Sequence, residues 1–416
     1  MSSSSPADPA SPPPAAVILT CEYPPFPGGI GTYSGELVAA LAGAGIAVEV
    51  IAPSYPDLPD EVRDKAGHHL LLGHHHISPM AALRVLAVLR RAPRSALILA
   101  ADIRTVLLLW LLRPFHRRAY RVMVHGSEAS KFDRGGVLFA IARRAYHRAQ
   151  LVAYNSVATR DIFRARLGIP CLEAVTYLGV DRQWFEAAPT ASFEHPELAA
   201  LPPDAAVFCT VGRIEARKGQ VQAIRALAQA RTTMPRLGEA VYVIAGRTED
   251  EDYAKQIVEE ARRLSVRVIV TGRLSTDDIK RLFRRSLAHL LFAVALPGKI
   301  EGFGLVLLEA AAQECPSIVT GVGGIPEVLG STGALVEEGD LEGFARHIVA
   351  CAEAVDRRGA AGRAARLCAR RFTWTACAKA TFPEFAGLLH EEDGKDRETA
   401  PLVHHATHAD EMAADA

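Results

Sequence analysis

The chain has 416 residues, and its 47 basic side chains balance 47 acidic ones. That length suits two domains of about 150–200 residues, each with its own core, and 49% hydrophobic residues argue against a disordered chain. Seven cysteines lie scattered with no CxxC pair, which argues against a disulfide scaffold or a zinc ribbon and for a reducing compartment.

Residues 1–14 are rich in Ser, Pro and Ala, carry only Asp8 as a charge, and read as a disordered N-terminus with no signal peptide. A strand follows at 16–20, then a Pro/Gly loop containing Gly28 and Gly29, then a helix over about 32–42. Strand-like runs recur at 46–52, 96–101, 120–124 and 151–154. Each is short, apolar throughout and flanked by helical stretches, which implies a parallel sheet covered on both faces. The stretch 55–79 is irregular and His-rich.

Charge is uneven. Residues 80–170 hold 17 Arg/Lys against 4 Asp/Glu. Within them the apolar run 106–112, seven residues long, is too short to span a bilayer. It leads directly into Arg113, Arg117, Arg118 and Arg121. Two readings stand: a basic, Trp-containing surface for an anionic membrane, or a core helix beside a solvated basic face. No nucleic-acid recognition motif or aromatic platform accompanies the basic residues, so nucleic acid is not expected as a partner.

Residues 182–204, rich in Pro, Ala and Glu, read as a linker. A second βα series follows, with strands at 206–212, 240–245, 266–271, 288–294 and 317–320, and predicts a second Rossmann-like sheet. Helical patterns cover 341–370 and 373–389, and the polar tail from Glu391 reads as disordered.

The loops after these strands carry the chemistry. Glu301-Gly302-Phe303-Gly304-Leu305 opens a helix predicted over 304–312, with Glu309 more than one turn inside it. Phe303, Gly304 and Leu305 there offer backbone N–H groups at a helix N-terminus, an anion site. A carboxylate for hydroxyls, amides for phosphate and a second carboxylate suit a sugar nucleotide. Gly212-Arg213 through Arg217-Lys218-Gly219 places three cations after a strand and before a helix, where α/β sheets bind phosphates. Gly246 ends another strand and could line the nucleotide pocket. Gly321-Val322-Gly323-Gly324-Ile325-Pro326-Glu327 has consecutive glycines that allow close approach to a ligand. His125-Gly126 follows the strand at 120–124, where a His suits substrate hydrogen bonding. Gly29-Ile30-Gly31 with Glu49 half matches a dinucleotide fingerprint, but the loop is too long and Ser34 replaces the third small residue. His68-His69, His74 to His76 and His404-His405-His408 lack the Cys or carboxylate partners of a metal site, and no Asp-x-Asp follows a strand.

In order, these motifs resemble the retaining glycosyltransferases of family 4, whose GT-B architecture sets two Rossmann-like domains across a cleft. The resemblance covers roughly 15–390 and implies an acceptor domain at 15–181, a linker at 182–204, and a nucleotide-sugar domain at 205–372. A helix at 373–390 would cross back to the first domain, and 391–416 would be a disordered tail. It implies that Arg213 and Lys218 bind the donor diphosphate and neutralise the leaving group. Glu309 would hold the ribose, and Glu301 and His125 the donor sugar. Gly28, Gly29, Gly212, Gly246, Phe303, Gly304 and Leu305 would line the donor site. The expected activity is retaining hexosyl transfer from a nucleoside-diphosphate sugar to a hydroxyl of a glycolipid or growing cell-surface polysaccharide. No metal or other cofactor is expected. The expected location is the cytoplasm, with an anionic inner-membrane surface as a candidate partner of the basic stretch. An epimerase or phosphorylase on the same architecture, or a catalytically silent glycan- or membrane-binding protein, remain alternatives.

Overall fold

The computed structural model describes residues 15–26, 28–55, 67–73, 76–126, 128, 135–169, 172–330, 332–354 and 358–390. The expectations of disorder for 1–14 and 391–416 lie outside them. Seven parallel strands form the first sheet: β1 (Ala15–Leu19), β2 (Ala47–Pro53), β3 (His68–Leu72), β4 (Leu97–Ala100), β5 (Arg121–Val124), β6 (Leu151–Tyr154) and β7 (Glu173–Val175). Their order is β3-β2-β1-β4-β5-β6-β7. Between them run α1 (Gly29–Gly43), α2 (Pro79–Arg91), α3 (Ile103–His116), α4 (Val137–His147) and α5 (Val157–Leu167).

The second sheet holds β8 (Val207–Val211), β9 (Val241–Ala245), β10 (Arg267–Gly272), β11 (Ala288–Leu291), β12 (Ser317–Thr320) and β13 (Ala334–Val336), in the order β10-β9-β8-β11-β12-β13. Its helices are α6 (Gln220–Thr233), α7 (Glu251–Leu264), α8 (Thr276–Arg285), α9 (Leu305–Ala312), α10 (Ile325–Leu329), α11 (Leu341–Glu353) and α12 (Arg358–Ala369). The chain then forms α13 (Trp374–Thr381). Both strand orders reverse beside their first strand, which creates the crevice where doubly wound sheets bind ligands.

Continuous apolar runs make the central strands: β1, β8 and β9 are buried at every position. The structure differs from the sequence expectations in several places. His68–Leu72, inside the stretch read as irregular, is a strand paired to β2. The run 288–294 is strand only to Leu291. The helical pattern 341–370 is two helices, and the one expected over 373–389 ends at Thr381, just before Pro383. The linker composition of 182–204 conceals packed residues: Trp184, Phe193, Leu198 and Leu201 sit against the core beneath α8.

One hydrophobic cluster joins the two sheets. It contains Ile18, Tyr33 and Leu37 from the first, Leu291, Phe303 and Val319 from the second, and Trp374 and Phe382 from the end of the chain. There α13 packs along α1. The buried Arg121 donates to the Thr381 carbonyl (2.7 Å) and pairs with Glu384.

Candidate active site

The loop after β8 turns sharply. Gly219 has φ 66°, and a Cβ there would lie 1.7 Å from the Phe292 carbonyl oxygen, so only glycine fits. The turn folds Arg217 and Lys218 back under the sheet edge, and both are buried. Lys218 Nζ stands 2.8 Å from Glu301 Oε2, and Arg217 donates to that same oxygen. The other arm of Arg217 reaches Glu215 Oε1 at 2.7 Å. Arg213 stays outside, with its side chain 54% exposed and 3.3 Å from Glu215. Three cations against two carboxylates leave one net positive charge.

Burial opposes ionisation of Glu301, yet Lys218 and Arg217 overcome it and hold its pKa down at about 2. Burial also lowers the pKa of Lys218, with Glu301 acting in the opposite sense. Arg217 was read from sequence only as one loop cation; its grip on Glu301 joins residues 84 positions apart, which no local pattern reveals.

Gly304, at φ 93°, precedes α9, whose N-terminus has no side-chain cap. The Phe303 ring turns into the shared core against Tyr177 and Phe372. Its backbone alone is left to face the loop. Glu309 is half-buried on α9, and burial raises its pKa to about 7, with Lys218 opposing. It lines a cavity of about 230 Å³ with Leu305, Thr32 and Glu36 of α1, Asp181 and Trp184. Gly28 caps α1, again with no side-chain cap, and Gly29 begins that helix. Pro27 lies outside the described residues.

From the first sheet, His125 follows β5. Its ring meets Tyr33 edge-on at 4.8 Å, and its Nε2 has no hydrogen-bond partner among the described residues. Burial lowers its pKa to about 3, against a hydrogen bond that the ring donates to the Ala101 carbonyl, so the imidazole is neutral. The His125 carbonyl abuts Gly302: a Cβ at Gly302 would lie 2.7 Å from it.

Thus Lys218 contacts Glu301, Arg213 is linked to them through Glu215 and Arg217, and the His125 carbonyl abuts the neighbouring Gly302. Gly212 and Gly246 are packed on each other; a Cβ at Gly246 would lie 1.8 Å from the Gly212 carbonyl. The Gly323-Gly324 pair approaches protein backbone, at Glu301 and Gly302. Among the described residues no group of three or more His, Cys, Asp or Glu side chains could hold a metal. His74, His75 and the three tail histidines lie outside them. No described helix is long and apolar enough to cross a membrane.

Comparison with known proteins bears on the fold and the reaction class. Residues 193–367 match the family of glycosyl transferases group 1, and residues 28–176 match the glycosyl transferase 4-like domain. The chain is 27% identical to a glycogen synthase of Mycobacterium tuberculosis (strain CDC 1551 / Oshkosh), across 94% of this chain and 98% of that one. It is 29% identical to a GDP-mannose-dependent alpha-(1-6)-phosphatidylinositol monomannoside mannosyltransferase of the same strain, across 84% and 92%. In structure it is similar to Anabaena HepE, solved with UDP and glucose, with a TM-score of 0.68 and 19% identity over 90% of this chain and 99% of that one. The two matched families together span most of the chain, on two Rossmann-like sheets: it belongs to the family 4-like, group 1 glycosyltransferases of GT-B fold and is a hexosyltransferase.

Proposed function

We propose that the enzyme moves a hexosyl group from a nucleoside-diphosphate sugar to an acceptor hydroxyl, with the anomeric configuration retained. The observation that supports this most is the buried Lys218–Glu301 contact beside the exposed Arg213. It puts cations for a diphosphate and a carboxylate for a sugar within one loop pair. As the bond from the anomeric carbon to phosphate oxygen breaks, negative charge grows on the diphosphate. Preorganised cations stabilise that charge in a site closed to water. The acceptor oxygen bonds the anomeric carbon from the face the diphosphate leaves, and its proton passes to a phosphate oxygen. Neutral His125 hydrogen-bonds the sugar, and Glu309 the ribose. Amides before α9 and at Gly28 and Gly29 approach the phosphates. We assign no carboxylate nucleophile and no metal: Arg213 and Lys218 meet the diphosphate charge. The half 15–181 closes on the half 205–372, with 182–204 and 373–390 joining them.

The acceptor is a glycolipid or a growing polysaccharide presented at a membrane on the cytoplasmic side. Helices α2, α3 and α4 pack side by side. They expose Met80 and Leu83, Leu111 and Phe115, and Val137 and Leu138. Arg84, Arg113 and Arg144 are exposed among them. The two described acids nearby, Asp102 and Glu128, are buried. Apolar tips ringed by arginine suit an anionic lipid surface.

Calorimetric titration of UDP, GDP and ADP without metal tests the donor site. One nucleotide should bind the wild type and bind Arg213→Ala more weakly. Lys218→Ala should lower turnover about 10²-fold or more. No binding by folded wild type, or full turnover in Lys218→Ala, would overturn these assignments.

A further inference from the structure

The Gly323-Gly324-Ile325-Pro326-Glu327 segment reads in sequence as a ligand loop, but it does something else. Its glycines let it lie directly on the Glu301 loop. A Cβ at Gly323 would fall 2.1 Å from the Glu301 carbonyl oxygen. One at Gly324 would fall 2.2 Å from that of Gly302 and 2.9 Å from Ser156 Cβ. Gly324 N–H donates to the Glu301 carbonyl at 3.0 Å.

Glu327 then reaches across to the other sheet. Its two carboxylate oxygens accept from the Val157 and Ala158 N–H groups, at 2.7 and 2.9 Å. These are the first amides of α5, with no partner inside the helix. Ser156 caps the same helix by accepting from Thr159 N–H at 3.0 Å, so Glu327 takes the amides the cap leaves. A carboxylate at a helix N-terminus is favoured by the dipole as well as the hydrogen bonds. Tyr177 flanks it; burial raises the phenol's pKa, and the neighbouring Glu327 raises it further.

We propose that Glu327 is a positioning residue, a clamp that fixes the Glu301 loop of one half against the head of α5 in the other. Through Gly324 it sets the Glu301 backbone, and Glu301 in turn receives Lys218 and Arg217. Through α5 it sets Asn155, which borders Gly302 together with His125, and Ser156, which borders Gly324. The groups assigned to the sugar therefore come from both halves, and Glu327 holds the halves in register. Its kinetic consequence rests on the transferase reading above; the clamp itself does not.

The test compares wild type with Glu327→Gln, which keeps the shape but loses the charge and one acceptor. Glu327→Asp, shorter by one methylene, serves as partial rescue. Amide hydrogen exchange at Val157 and Ala158 reads the clamp with no substrate present. Diphosphate release from UDP-glucose and from GDP-mannose reads turnover. In Glu327→Gln those two amides should exchange at least tenfold faster. Turnover at saturating donor should fall at least tenfold, while KM for donor and Kd for UDP or GDP stay within about threefold. Glu327→Asp should recover part of both. Equal protection in wild type and Glu327→Gln overturns the clamp. Freed amides with unchanged turnover, or a lowered melting temperature alone, reduce Glu327 to a structural brace and overturn the positioning role. If wild type turns over neither donor, the transferase reading fails, while the exchange result still decides the clamp.

Discussion

A single oxygen, Glu301 Oε2, accepts from two buried cations. Removing one partner of such a group leaves uncompensated buried charge, so the cluster is held together by its own desolvation cost. Glu309 has no such pairing, and burial lifts its pKa from 4.5 to about 7. Its folded value lies above its unfolded one. The stability it contributes is therefore full below about pH 4.5 and is lost as pH rises through about 7. Glu309→Gln should match wild type in urea unfolding near pH 4 and exceed it at pH 8. Equal stabilities at both would contradict the shift. Among single residues the sequence singled out Lys218 and Glu301, which the structure brings into contact, because loops after apolar strands are where α/β sheets place chemistry. It could not reveal that Arg217 binds Glu301, nor that Glu327 reaches Val157, because those partners are 84 and 170 positions away.

Among the elements, α3 shows how an apolar run resolves. Val106, Leu108, Leu109 and Leu112 turn inward, while Leu111 and Phe115 turn out. Asp102 fixes its start by accepting from Arg104 and Thr105 N–H at 2.9 and 3.2 Å, and from Cys21 N–H at the end of β1. Asp102→Ala removes the cap and leaves the Cys21 amide buried without its acceptor. It should cost about 2–4 kcal/mol. Thermal unfolding checks this, and a loss below 1 kcal/mol would show that water replaces the carboxylate. The strands the sequence did not show are β3, β7 and β13, and each lies at a sheet edge. Edge strands here are short or open with polar residues: β7 and β13 have three residues each, and β3 begins with two histidines. Central strands such as β1 and β9 declare themselves because both faces are buried and the residues are apolar.

For the whole molecule, balanced charge conceals a basic face over α2 to α4, helices that contain no Asp or Glu. Vesicles containing anionic lipid should bind the protein, added salt should weaken that binding, and Leu111→Ser with Phe115→Ser should reduce it. Equal binding to neutral vesicles would remove the electrostatic argument. The two-sheet layout was legible from two series of apolar strands; the core they share was not, since it forms from residues of both series and of α13.

That shared core has a consequence for how the protein is made. Tyr33 lies inside α1, yet Trp374, one of its covering rings, follows 341 positions later in the sequence. On the ribosome the first sheet emerges early with the α1 flank bare and apolar. It must wait until the second sheet has been made before α13 can cover it. A chain truncated before Trp374 should therefore leave that apolar flank uncovered and open to aggregation.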